Sequence, residues 1–180
     1  MLHLIFDCYW DICLLKESPE NTAYSSPRMI LCGILLALLM TMEWDYSSIT
    51  SSEEMVNNLI ISISIIISCI LYTYLLLYIK GLTQRLVQTV TSLYIINIII
   101  HILVLPLLII SPYLSLFNLK NPFILFLGII YLFLSLGLSV WQFIITAHIY
   151  KFALNATAIQ SVFAAFGSIA VNILIISLLQ

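Results

Sequence analysis

The chain has 180 residues, 63% of them hydrophobic and 8% charged, with a formal net charge of −2 and a mean hydropathy of +1.16. Soluble domains carry about 25% charged residues, so six Lys plus Arg and eight Asp plus Glu cannot clothe a water-soluble fold of this size, and lipid is the expected surroundings. The cations are too dispersed for a phosphate-binding face, which excludes nucleic acid and leaves membrane lipids, other membrane proteins or a second copy of the chain as partners.

Residues 1–28 are expected to form an interfacial amphipathic helix and its linker, ahead of a five-span domain over 29–180. The opening MLHLIFDCYWDICLL has Asp7 and Asp11 where a secretory leader needs an unbroken apolar core. His3, Asp7 and Asp11 recur every four residues along one stripe, with Leu4, Ile5, Phe6, Cys8, Ile12 and Leu15 around it. That pattern predicts a helix lying flat on the membrane, anchored by Phe6 and Trp10. A His and two Asp can be drawn as a metal triad, but a solvated stripe accounts for them, and no metal or other cofactor is expected. Cys8, Cys13, Cys32 and Cys69 form no CxxC pair and are expected as free thiols. The Ser- and Pro-rich KESPENTAYSSP then leads into the first span.

The first apolar segment, residues 29–43, is the shortest. Fifteen residues cover only about 22 Å, less than the roughly 30 Å of a hydrocarbon core, so this span must borrow residues 25–28 or thin the bilayer. Glu43 is expected in an acidic outer loop with Asp45, Glu53 and Glu54, where Ser51 and Glu54 have capping-box spacing. Further spans are predicted over 57–79, 87–110, 123–147 and 158–179, each long enough to cross as a helix. The Ser-Ile-Ser-Ile alternation at 62–65 mimics a strand, but the runs are twice the length of barrel strands and apolar on every face, so the expected fold is an all-α membrane helical bundle. Lys16, Arg28, Lys80, Arg85 and Lys151 fall on one side and Lys120 alone on the other. This bias predicts an integral membrane protein with its amino terminus inside and its carboxyl terminus outside.

Polar residues within spans are candidates for function. Tyr94, Asn97 and His101 share one face of the third span, with Pro106 five residues further on removing a backbone hydrogen bond. Ser135, Ser139, Gln142 and Thr146 share a face of the fourth, and Gln160, Ala164, Ser168 and Asn172 a face of the fifth. Such stripes can knit helices together, each amide bond contributing about 0.6–2 kcal/mol in lipid. Alternatively Asn97, His101, Gln142 and Asn172 make an intramembrane site for a proton or small substrate, with His101 its one titratable group. No Asp, Glu, Lys or Arg is expected deep in the membrane, where an ion-coupled carrier would place one. The stretch HIYKFALNATAIQ, residues 148–160, is expected to be the turn between the last two spans. There Lys151 would hold the membrane face, Asn155 or Thr157 would cap the final helix, and His148 would be a boundary residue. GxSxG, HExxH, GxGxxG and Walker patterns are absent, so no catalytic residue is assigned and an enzyme is not expected.

The segment WQFIITAHIYKFALNATAIQSVFAAF, residues 141–166, resembles the closing helix pair of the Yip-type membrane protein family, through Trp141, Lys151, Ala153, Leu154, Ala158, Gln160 and Ser161. SSPRMILCGILLAL at 25–38 is similar to the entry into the first span of short bacterial members, which share this size and five-span layout. The resemblance implies a non-enzymatic membrane organiser or assembly subunit. Eukaryotic relatives act at the Golgi and endoplasmic reticulum with Rab-type GTPases, but their DLYGP-like and GYG-like motifs are missing here, so Rab binding is not carried over. The alternative function is a small transport component using the polar site around Asn97, His101 and Gln142.

Overall fold

The computed structural model describes residues 2–47, 52–116 and 122–179, with side chains over 8–44, 55–111 and 123–179. Among the described residues the fold is all-α: α1 (Leu2–Cys13), α2 (Ser26–Ser47), α3 (Ser52–Ile79), α4 (Leu86–Leu116), α5 (Pro122–Ala153) and α6 (Ala158–Leu179). The five helices α2 to α6 are long and apolar enough to cross a membrane.

The expected boundaries shift most at α2. Ser25 accepts a hydrogen bond from the Arg28 amide (3.4 Å) and Pro27 occupies the first turn, a favourable helix start. The helix then runs through Glu43 to Ser47, 22 residues or about 33 Å, so it borrows residues 26–28 as expected and gains further length beyond residue 43. Ser51 lies outside the described residues. Pro106 leaves α4 continuous, and α5 continues six residues beyond the predicted Ala147. Helix α6 has the predicted bounds.

Three helices end in the same way. After α1, α3 and α5 the chain turns left-handed at Leu15 (φ 62°), Gly81 (φ 68°) and Asn155 (φ 45°). The following amide reaches back five residues: Lys16 to Asp11 O, Leu82 to Leu77 O and Ala156 to Lys151 O. These bonds satisfy carbonyls that a bare helix end would leave open.

The long helices form a closed circle in the spatial order α2, α4, α5, α6, α3, and α3 packs back on α2. Close approach depends on small residues. Gly33 lies against Tyr94, and Gly167 lets Tyr72 reach across to donate to the Ala164 carbonyl at 2.9 Å. Outward positions such as Phe126, Phe133, Phe163 and Leu178 are exposed and apolar, suited to lipid.

Helix α1 packs against the bundle. Tyr9, Ile12 and Cys13 are buried against the bundle, while Trp10 is partly exposed. The Trp141 indole donates to Cys13 O (3.2 Å) and His148 Nε2 to Glu17 O (3.0 Å). The strap after α1 is then clamped: Gln88 donates to Thr22 O (2.7 Å), and Arg85 Nη1 bonds Glu20 Oε1 (2.6 Å), Phe152 O (3.1 Å) and Asn155 Oδ1 (3.2 Å). These contacts bring the entry to α2, the α3–α4 turn and the α5–α6 turn to one end of the bundle. The side chains of His3, Phe6 and Asp7 lie outside those described.

Candidate functional site

A cavity of about 290 Å³ lies at mid-height inside the circle of helices, and all five contribute to its wall. Helices α2 and α3 supply an apolar side through Leu36, Met40, Ile65 and Ile66. The opposite arc is polar. It gathers Asn97 and His101 from α4, Gln142 and Thr146 from α5, and Ser168 and Asn172 from α6. The four candidate residues, Asn97, His101, Gln142 and Asn172, therefore face one space. Ser135 and Gln160 do not join them: the Ser135 hydroxyl donates to Leu132 O, and Gln160 caps α6.

Some of this polarity is spent within the wall. Gln142 Nε2 donates to Asn97 Oδ1 at 2.7 Å, and Asn97 Nδ2 donates to Leu93 O at 2.8 Å, which joins α4 to α5 and fixes the Asn97 amide. Tyr94 donates to Ile66 O (2.9 Å), and Thr146 to Gln142 O (2.8 Å). Gln142 Oε1 and the Asn172 amide make no hydrogen bond with any described residue. The arc thus presents a free acceptor and a free amide beside hydroxyls, an arrangement that can hold an uncharged hydrogen-bonding solute against an apolar back wall.

Glu43 corrects the expectation that no carboxylate lies within the spans. It is 8% exposed, and its Oε2 is 2.6 Å from His101 Nδ1. Because α2 and α4 start at the same end and run side by side, Glu43, 17 residues after Ser26, stands level with His101, 15 after Leu86. The second carboxylate oxygen, Oε1, is buried without a hydrogen-bond partner. The sequence held a signal for this: Leu36, Met40 and Glu43 follow i, i+4, i+7 spacing, and the first two are core residues.

The HIYKFALNATAIQ segment also differs from expectation. His148 and Lys151 belong to the last turns of α5, and the turn itself is residues 154–157. Thr157 Oγ1 accepts from the Gln160 amide (3.4 Å) while Gln160 Oε1 accepts from the Thr157 amide (3.3 Å), a reciprocal capping box that makes Thr157 the cap. Asn155 instead closes α5 and accepts from Arg85. His148 anchors the amino-terminal strap. No family model, curated protein or solved structure matches the chain.

Proposed function

We propose that the protein is a non-enzymatic integral membrane protein of the bacterial inner membrane that passes a small, uncharged polar solute through its central cavity. The end carrying Lys16, Arg28, Lys80, Arg85 and Lys151 faces the cytoplasm in this reading, as the distribution of basic residues favours. The observation that carries it is the convergence of Asn97, His101, Gln142 and Asn172 from three helices on one cavity of about 290 Å³. Polar stripes that only knit helices would be consumed by mutual bonds, yet Gln142 Oε1 and the Asn172 amide are left for something else. The volume is at the lower limit for ligand pockets, which favours a small solute.

The test is osmotic shrinkage of proteoliposomes in gradients of glycerol and of urea, followed by light scattering. Asn97→Leu with Gln142→Leu should lower solute entry at least tenfold while the purified protein keeps its gel-filtration profile. Unchanged entry, or entry no faster than in protein-free vesicles, would overturn the transport reading. Loss of assembly in the variant without any wild-type flux would favour the membrane-organising role that the Yip-type resemblance implies.

A further inference from the structure

We propose that Glu43 and His101 form a proton-binding dyad at the cavity wall, with His101 Nε2 as the atom that takes the proton. The inference deepens the transport reading and rests on it only for what the proton is coupled to; the dyad itself stands on its own geometry. Glu43 is buried, holds His101 Nδ1 at 2.6 Å through Oε2, and keeps Oε1 without a partner. His101 lines the cavity, and its Nε2 makes no hydrogen bond with any described residue. One ring nitrogen is thus committed to the carboxylate, while the other is left for the cavity's contents.

The chemistry balances simply. With the Nδ1–H donating to the carboxylate, His101 is a neutral imidazole whose Nε2 lone pair is an acceptor, and the pair carries one negative charge. A proton arriving through the cavity forms an N–H bond at Nε2 and no bond breaks. The imidazolium is then matched by the carboxylate, and the pair becomes neutral overall. A low-dielectric site favours that outcome, because a buried carboxylate with an orphan oxygen is costly unless an opposite charge matches it. Loading also converts Nε2 from acceptor to donor, which changes what the polar arc can hold.

The surroundings supply no competing charge among the described residues. On α2 the neighbouring inward residues are Leu36 and Met40, and α5 and α6 present hydroxyls and amides. The other titratable groups on the wall are the Tyr94 phenol on α4, committed to Ile66 O, and the Cys69 thiol on α3. The side chains of Asp45, Glu53 and Glu54 lie outside those described.

The experiment is nitrogen NMR of ring-labelled histidine in nanodiscs, with His101 assigned by its loss in His101→Asn. In the wild type, Nδ1 should carry a hydrogen-bonded proton throughout, while Nε2 should be bare in alkaline and protonated in acidic samples. Glu43→Gln should remove the carboxylate-bonded signature of Nδ1 and change the proton concentration at which Nε2 is loaded at least tenfold, because the opposite charge in direct contact is gone. A wild-type Nε2 in the same state in acidic and alkaline samples overturns the proposal. An unchanged step in Glu43→Gln overturns it too. A titrating dyad in a protein that moves neither glycerol nor urea would retain this inference and remove the transport reading; solute flux with a silent His101 would do the reverse.

Discussion

Cys13 ends α1 in complete burial beside Trp141, and burial pushes its thiol from the ordinary 9.0 up to about 11. Cys8, one turn earlier, is pushed in the same direction by burial, with Glu17 and Asp11 adding to it, but remains partly accessible. Since the thiolate is the reactive form, maleimide near neutral pH should modify Cys8 well before Cys13. The linkage sign is also fixed. The docked state holds the Cys13 proton more tightly than the free chain, so docking of α1 is at full strength below about pH 9 and weakens as pH rises toward about 11. Faster Cys13 labelling over that interval, in step with rising Trp10 exposure to quencher, is the expected outcome; labelling of Cys13 as fast as Cys8 at neutral pH would show that α1 is not docked. At this scale the sequence revealed Asn97, His101, Gln142 and Asn172, because a polar letter in an apolar run stands out. It hid Glu43, because a carboxylate beside Trp44 and Asp45 at the end of a short apolar run reads as a loop. Only its partner 58 positions later makes it an interior residue.

Helix against helix, the tightest dependence is between α3 and α6. A Cβ at Gly167 would collide with Tyr72 Oη, which is already committed to Ala164 O, whereas Gly128 on α5 has open space around it. Gly167→Ala should therefore destabilise the bundle by about 1–3 kcal/mol through overpacking and loss of the tyrosine bond. Gly128→Ala should be neutral or slightly stabilising. Thermal unfolding in detergent compares the two, and equal melting temperatures would refute the close packing. The existence of five long helices was legible because sustained apolar runs admit little else. Their ends were less so: α5 gained six residues because Ile149, Tyr150 and Ala153 have a core to enter at the strap, and hydropathy alone does not register docking of an amino-terminal segment. The residues read as a turn, His148 and Lys151, are helical for the same reason.

Taken whole, the bundle collects five basic residues near the end clamped by Arg85, which the orientation proposal places in the cytoplasm. With cysteines introduced at Thr83 and Leu179, an impermeant maleimide added to intact cells should label Leu179→Cys and spare Thr83→Cys; the opposite pattern would invert the protein. Circular packing was not legible at all, since nothing in hydropathy specifies which helices become neighbours. That order has a consequence for synthesis. Glu43 emerges 58 residues ahead of His101, a delay of about 3–12 s at ordinary translation rates. During that interval the carboxylate has no imidazole to meet, and it belongs to the least apolar of the five long helices. In the proposed membrane setting the carboxylate on α2 is matched only once α4, its neighbour in the circle, is made, and the circle closes only when α6 settles between α5 and α3. The cavity needs α6 to close it, so a nascent chain stalled before Ala158 leaves open the same amides and hydroxyls that the complete circle of helices encloses.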